Sequence, residues 1–332
     1  MKTALLHYWL TNVRGGEKVL AALGEMLPEA DIFTHAYRPE RFGEPSRERL
    51  WGHRVTESFI ARLPFGRKHP QVCLPLFPSA SRSLKLDGYE LIVSSESGPI
   101  KGICKPKGAR HVCYCHTPMR YLWDMHDEYY RTAGVGGKLA MKLFTSYLRK
   151  EDLKSAESVD EFVANSAFVA ERIKRIYGRD SVVVHPPVDV EFFSAAERTA
   201  GDYYLFVGAP VAYKRLDLAR AACAKMGREL VVAGGGAATD DELRGLYAAP
   251  RRCCSRGLRI LASFPSRRRP LAVPSLRMAR AVRWRLLSAG GRECSSRSRR
   301  SSRFVRRLKS SSRASSLPTP AAKTPGGLRG LL

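Results

Sequence analysis

The last quarter of this chain almost lacks acidic residues. Residues 250–332 contain 22 Lys and Arg against one acidic residue, whereas residues 1–249 contain 35 against 30. The formal net charge of +26 is therefore concentrated at one end. The Arg, Ser and Pro of this end show no helical or strand period, so no regular element is predicted there. The function must be inferred from residues 1–249.

Long apolar runs and paired cysteine motifs are also missing. No stretch of eighteen apolar residues occurs, and Met1–Leu10 enters a strand pattern instead of a leader peptide. We therefore expect a cytoplasmic protein without a membrane span. The eight cysteines have no metal-ligand spacing, and Cys113 and Cys115 share one face of a predicted strand. We interpret them as reduced structural thiols.

Several catalytic motifs are absent as well. The sequence contains no Asp-x-Asp, Walker loop, His-Glu-x-x-His pair or Gly-x-Ser-x-Gly elbow, which argues against a metal-clamped phosphoryl enzyme and against a serine hydrolase. No Gly-x-Gly-x-x-Gly follows the first strand, which argues against a dinucleotide-dependent dehydrogenase.

Strands and helices alternate along residues 1–249. Strands are predicted at Lys2–Trp9, Asp31–Ala36, Glu90–Ser94, Arg110–Cys115, Glu161–Ala164, Tyr203–Val207 and Leu230–Ala233. Helices are predicted after Gly16 and at Pro118–Tyr130, Lys138–Ser155, Ser166–Tyr177, Lys214–Met226 and Asp240–Ala248. This order predicts the α/β class, with parallel sheets covered on both faces.

The prolines after His185 mark a linker, because neither a helix nor a central strand continues through them. We predict a first doubly wound, Rossmann-like domain at residues 1–190 and an incomplete second one at 191–249. Residues 250–332 form a tail that is too poor in regularly spaced apolar residues to fold, so we expect it to be disordered.

Ligands bind at the carboxyl ends of the strands in such sheets, which selects the candidate residues by position. Gly15 and Gly16 follow the first strand and open a helix, where backbone amides can approach a phosphate or sugar. His116 ends a strand, and Arg120 follows within the predicted next helix. The alternatives are a conformational role for the Gly-Gly turn and a packed or solvated histidine.

Lys214 and Arg215 occupy the corresponding strand-to-helix junction of the second domain. Two cations there are suited to neutralising a diphosphate. The alternative is a solvated helix start.

Five ordered strings carry a resemblance to a known family. They are HYWLTNVRGGEKVL, YCHTPMRYLWD, FVANSAFVAERIKRIYG, VVHPPVDVEFF and YLFVGAPVAYKRLDLA. Over about residues 1–249 the chain resembles family 4 glycosyltransferases of GT-B fold, most closely bacterial enzymes that build lipopolysaccharide or exopolysaccharide.

The resemblance implies transfer of a sugar from a nucleotide diphosphate sugar to an acceptor hydroxyl, with retention at the anomeric carbon. Gly15 and Gly16 would face the donor phosphate and the acceptor, and His116 would contact the transferred sugar. Lys214 would hold the diphosphate, with Arg215 as a second cation. No metal and no resident cofactor are expected. A lipid-linked or saccharide acceptor is implied, but the sugar, the nucleotide and the acceptor are not identified.

The sequence departs from the family in its second domain. Many relatives have Arg where this chain has Ala209, and about twenty residues are missing after Gly236. The expected Glu-x7-Glu motif does not follow Pro250. A reading frame shifted by two bases over residues 257–286 can encode that motif, even at the single-codon residues Met278 and Trp284. We hypothesise that the tail is an out-of-frame translation and expect this chain to be inactive or poorly folded.

The alternative function is a basic-tailed protein that binds nucleic acid or an anionic membrane. No specific nucleic acid partner is expected from the enzyme interpretation. The segment Trp51–Arg67 is basic and rich in aromatic residues. It could make peripheral contact with the inner face of the plasma membrane, and the alternative is an ordinary solvated surface.

Overall fold

The computed structural model describes residues 1–43, 46, 48–194, 203–208, 214–233, 240–248 and 252–253. Ala209, residues 234–236 and nearly all of the predicted tail lie outside these ranges. The out-of-frame hypothesis and the predicted disorder of the tail therefore stay predictions.

The first lobe is built on an eight-stranded sheet in the order β3-β4-β2-β1-β5-β6-β7-β8. All its neighbouring strands are parallel except β3 and β4, which form an antiparallel edge pair. The strands are β1 Thr3–His7, β2 Asp31–Thr34, β3 Arg49–Leu50, β4 His53–Glu57, β5 Leu91–Glu96, β6 Arg110–Cys115, β7 Glu161–Ala164 and β8 Ser181–Val183. The predicted α/β class with a doubly wound parallel sheet is confirmed.

Helices cover both faces of this sheet. They are α1 Gly15–Met26, α2 Phe77–Arg82, α3 His126–Thr132, α4 Val135–Glu157 and α5 Ala167–Tyr177. A further short helix, α6 Val190–Ser194, contacts the ring of Tyr247 through Phe193. Short 3-10 helices occupy Pro39–Arg41, Phe59–Arg62 and Pro70–Leu76. None of the helices in the described ranges is long and apolar enough to cross a membrane.

The core lies on both sides of β1 because side chains alternate along a strand. Leu5 packs with Val19, Leu20 and other residues of one buried cluster that includes α1. Ala4 and Leu6 point the other way, into a cluster with Ile92. All five residues of β1 are buried, as expected for a central strand that is covered on both faces.

A second, three-stranded parallel sheet follows in the order β10-β9-β11. Its strands are β9 Tyr203–Val207, β10 Glu229–Ala233 and β11 Arg252–Cys253, with α7 Leu216–Lys225 and α8 Asp240–Ala248 between them. The predicted bounds of β9 and α8 agree with these. Strand β11 lies inside the segment that the sequence assigned to the tail.

The predicted helix Pro118–Tyr130 is wrong in its first half. Pro118 lies in a bend, residues 120–125 form consecutive turns, and α3 begins only at His126. Met119 and Leu122 have helical spacing but are buried through the turns, against Leu148 of α4. Arg120 therefore lies in a loop and not one helical turn beyond His116.

The sequence also missed most of residues 37–82. This segment holds β3, β4, α2 and the three 3-10 helices. Its prolines and charged residues leave no strand or helix period to detect, so its elements are set by tertiary contacts.

Candidate functional site

The candidate site lies at the carboxyl edge of the first sheet. The chain runs from β1 to β2 on one side and returns to β5, β6 and β7 on the other. In doubly wound sheets this reversal of strand order opens the crevice where ligands bind. The residues that follow β1, β5 and β6 therefore share one edge, and they include both candidate glycines and His116.

His116 is held in place from three sides. Its backbone N–H donates to the carbonyl of Glu96 at 2.8 Å, and its carbonyl accepts from Asn165 Nδ2 at 2.9 Å. Its Nε2 lies 2.9 Å from Ser95 Oγ. Burial, and after it the charge of His7, lowers the pKa of His116 to about 3. The imidazole is therefore neutral at physiological pH and acts as a polar hydrogen-bonding group, not as a cation.

Gly16 lies directly against two imidazole rings. A Cβ at this position would be 3.4 Å from His7 Cε1 and 3.6 Å from His116 Nε2. The first turn of α1 thus brings Gly16 and His116 together, as the sequence predicted from their places in the order of elements. Gly15 is exposed and is the first residue of α1.

His7 is a polar residue at this place that the sequence did not single out. It is fully buried, and neither ring nitrogen has a hydrogen-bond partner among the described residues. Its Nε2 lies 3.5 Å from Oε1 of Glu17, whose Oε2 accepts from the backbone N–H of Arg14 at 3.0 Å. In the sequence His7 belongs to the first predicted strand and carries no motif. Its position near His116 becomes visible only where α1 packs against both rings.

The loop that carries Arg120 is fixed by buried and half-buried polar contacts. Arg172 of α5 contacts Thr117 Oγ1 and lies 2.5 Å from Asp124. Trp123 Nε1 donates to Asp152 of α4 at 2.7 Å. Together with backbone hydrogen bonds inside the turns, such as Trp123 N–H to the Met119 carbonyl at 3.2 Å, these contacts fix the segment that carries Arg120.

A buried charge cluster lies beneath this loop. Lys101 Nζ is 2.9 Å from Glu96 and 2.5 Å from Asp152, and all three side chains are buried. Burial acts to lower the pKa of Lys101, but the Asp152 and Glu96 carboxylates outweigh it and hold that pKa well above its usual value. Because Glu96 also accepts from the His116 backbone, this cluster supports the site from below.

Tyr8 follows β1 and packs over Gly98, where a Cβ would lie 2.9 Å from its ring. Burial, and after it the charge of Glu17, raises the pKa of Tyr8 to about 12. Its hydroxyl therefore stays protonated and can act as a donor at physiological pH.

In the second sheet, Lys214 lies between β9 and α7, again where the strand order reverses. Burial, and after it the positive charge of Arg120, lowers its pKa. The structure therefore brings these two cations within electrostatic reach of each other. Gly208 has a φ of +146°, and a Cβ there would clash with Lys214 Nζ. The lysine side chain thus occupies space that only glycine leaves open.

Arg215 is placed differently from Lys214. Its guanidinium is about half exposed and donates to the Asp217 carboxylate at 3.0 Å. The carboxylate neutralises the charge that the sequence assigned to a diphosphate. The predicted role of Arg215 as a second cation stays a prediction.

The model of Glycosyltransferase Family 4 matches residues 13–192, more than half of the chain. The chain belongs to glycosyltransferase family 4. The matched range contains Gly15, Gly16, His116 and Arg120, whereas Lys214 and Arg215 lie beyond it. A search of curated protein sequences found no significant match.

Solved structures of glycosyltransferases are similar to this family 4 chain at low identity. HepE of Anabaena in complex with UDP is 12% identical over 76% of this chain and 70% of its own, with a TM-score of 0.44. The structure of the same protein with UDP and glucose is 12% identical over 70% of this chain and 60% of its own, with a TM-score of 0.43. AviGT4, a glycosyltransferase involved in avilamycin A biosynthesis, is 17% identical over 78% of this chain and 65% of its own, with a TM-score of 0.34. The family assignment rests on the sequence match, and the two parallel sheets agree with the GT-B fold expected of this family.

Proposed function

We propose that the described site serves transfer of a sugar from a nucleotide diphosphate sugar to an acceptor hydroxyl, with retention at the anomeric carbon. The observation that carries this proposal is the close approach of Gly16 to a neutral, rigidly held His116 at the reversal of strand order. A neutral imidazole can hydrogen-bond a sugar hydroxyl without competing for the charge of the diphosphate.

In the proposed reaction, the bond between the anomeric carbon and the donor phosphate oxygen breaks. The acceptor oxygen forms a new bond to the anomeric carbon on the same face, and its proton passes to the departing phosphate. Negative charge grows on the leaving group, so fixed donors and cations stabilise the transition state more than the ground state. Lys214, Arg120 and the backbone at Gly15 and Gly16 are assigned this task. Arg215 would join them only if it left Asp217.

The donor is proposed to be a nucleotide diphosphate sugar, since HepE was solved with UDP and with UDP and glucose. The acceptor is proposed to be a lipid-linked or saccharide hydroxyl in cell-surface polysaccharide synthesis. Such an acceptor would be reached from the cytoplasm through peripheral contact with the inner face of the plasma membrane.

We also propose that the present chain is inactive or nearly so. The expected Glu-x7-Glu motif, whose carboxylates would bind donor hydroxyls, is absent from the sequence after Pro250. Sequencing the locus would test the out-of-frame hypothesis directly. An uninterrupted frame that encodes the present tail, with no base gained or lost in related strains, would refute it.

The decisive experiment compares the present chain with a frame-restored chain. Nucleotide-sugar turnover is expected only from the restored chain, and equal rates would contradict the inactivity proposal. In the restored chain, His116→Ala is expected to lose turnover while donor binding persists, and Lys214→Ala to lose donor binding. The exposed residues His69 and Lys225 give the matched controls His69→Ala and Lys225→Ala. Full turnover in His116→Ala would refute the assigned site.

A further inference from the structure

The first half of α4 is unusually exposed. Helix α4 begins at Val135, and none of its first ten residues, 135–144, is buried. The buried residues of α4 lie in its second half, where Thr145, Leu148, Asp152 and Ala156 face the lobe. The helix therefore projects its first turns beyond the body to which its later turns are fixed.

The exposed side of α4 is apolar. Val135, Leu139, Leu143 and Tyr147 follow one another at intervals of four residues, so they lie in one row along the helix. Val135 is 88% exposed, Leu139 58% and Leu143 62%. At 100° per residue this row points away from Leu148 and Asp152. We call these four residues the α4 outer face.

Basic residues lie next to the α4 outer face in the sequence. Residues 129–150 contain five basic residues and no acidic one. Lys138 and Lys142 each precede an outer-face leucine, and Lys150 follows Tyr147 by three residues. The neighbouring helix α3 adds the exposed rings of Tyr129 and Tyr130. An apolar row beside lysines, with aromatic rings at its border, is the composition of helices that lie in a lipid headgroup region.

The second half of α4 is firmly anchored. Asp152 bonds Lys101 and Trp123, Arg149 Nε donates to the Leu122 carbonyl at 2.6 Å, and Glu151 pairs with Arg82 at 2.6 Å. Because the helix cannot swing inward without breaking these contacts, its outer face stays available to an external partner.

We propose that the α4 outer face docks on an anionic lipid bilayer. The leucines would enter the boundary between headgroups and acyl chains, and Lys138, Lys142 and Lys150 would contact lipid phosphates. This places the membrane contact on α4 and not on the segment Trp51–Arg67. The inference rests on the proposed function only for the idea of peripheral contact, and its test needs no sugar donor.

The test is co-sedimentation of the full chain with vesicles. Wild type is compared with the double variant Leu139→Glu/Leu143→Glu, on phosphatidylcholine vesicles with and without phosphatidylglycerol. The matched control is Phe65→Glu/Val72→Glu, because those residues are 70% and 65% exposed and the charge change is the same. The basic tail also attracts anionic vesicles, but equally in both variants.

The expected result is a loss of at least about tenfold in partitioning for the α4 variant and little change for the control, since two charged side chains would replace the two leucines that bury apolar surface in the bilayer. The difference should persist when salt is raised from about 0.1 M to about 0.5 M, where attraction of the tail is screened. Circular dichroism checks folding, and Leu139→Ala/Leu143→Ala should give an intermediate loss.

Equal partitioning of the two double variants would overturn the proposal. So would a change from dimer to monomer in the α4 variant without vesicles, because the face would then bind a second copy of the chain. Neither outcome bears on sugar transfer, and failure of transfer in the restored enzyme would not affect vesicle binding.

Discussion

The two sheets use the same strand, loop and helix unit but bury it to different extents. All five residues of β1 are buried, whereas β9 buries only Leu205 and Phe206, and β10 only Ala233. Helix α1 buries residues on several turns, whereas α7 buries only Cys223. Central parallel strands are normally covered on both faces. The first lobe meets this condition, and the described second sheet does not.

The same contrast applies to the two halves of the candidate site. His116 is fixed by hydrogen bonds from Ser95, Asn165 and the Glu96 backbone. Lys214 extends into the space that Gly208 leaves open. We infer that the first lobe carries its own stability and an organised half-site, whereas the second segment depends on further structure to cover it.

The largest expected effect comes from removing the buried cation of the first lobe. Lys101→Met leaves Glu96 and Asp152 as unpaired buried carboxylates, so we expect the free energy of unfolding to fall by about 3–5 kcal/mol. Urea unfolding would measure this. The control is Lys105→Met, whose ion pair with Asp160 is partly exposed and contributes less than about 1 kcal/mol. Equal losses in the two variants would show that burial does not distinguish these pairs.

The next effect concerns Gly208 in the second sheet. Gly208→Ala combines a backbone conformation at φ +146° with a clash at Lys214 Nζ, so we expect a loss of about 2 kcal/mol and displacement of the lysine.

The matched control for Gly208 is Gly88→Ala. Gly88 has a φ of +79° and no atom within 4 Å of an added Cβ, so it tests the backbone conformation alone. We expect nucleotide affinity of the frame-restored chain to fall in the Gly208 variant and not in the control. Unchanged affinity in both would separate Lys214 from the donor.

Much of the fold could be predicted because apolar runs bounded by turn residues define strands. The predicted bounds of β6, β7, β9 and α8 agree with the structure. The loop at residues 118–125 could not be predicted, because Met119 and Leu122 have the spacing of a helix while Arg172 and Asp124 stabilise turns. Such long-range pairs leave no local signal.

In the candidate site too, the order of elements could be predicted but the long-range contacts could not. Gly16 follows β1 and His116 follows β6, two parallel strands with only β5 between them, so the order of elements alone brings the two residues to one edge. Ser95 and Asn165 hold His116 across sequence separations of 21 and 49 residues, and no spacing rule identifies them. For Arg215 the limit is a local one. The family pattern assigns its guanidinium to the donor, but in the structure the guanidinium pairs with the nearby Asp217 carboxylate.

Acid should destabilise the first lobe selectively, because all eight histidines lie within residues 1–185. Burial lowers the pKa of His35 to about 4 and that of His111 to about 3, from an ordinary value of 6.5. The unfolded chain thus takes up protons first as the pH falls. The free energy of unfolding should therefore be constant above about pH 6.5 with respect to these histidines. Below that pH it should fall by about 1.4 kcal/mol per pH unit for each histidine, until the pKa of the folded state is reached.

Unfolding at a series of pH values measures this slope. His35→Gln can keep one polar contact with Ser58 or the Pro99 carbonyl but cannot be protonated, so the slope should fall by about one proton. An unchanged slope would mean that His35 titrates alike in the folded and unfolded chain.

The smallest expected effect separates a solvated cation from a packed one. Arg215→Ala removes an exposed pair with Asp217, so we expect no measurable change in the unfolding free energy. Arg67→Ala is the matched substitution in the first lobe, where Arg67 makes three hydrogen bonds to the better buried Glu57 and should contribute about 1 kcal/mol. Both values come from chemical denaturation. If Arg215→Ala costs more than Arg67→Ala, Arg215 must pack against structure that covers the second sheet, and the contrast between the two sheets would be smaller than their described surfaces indicate.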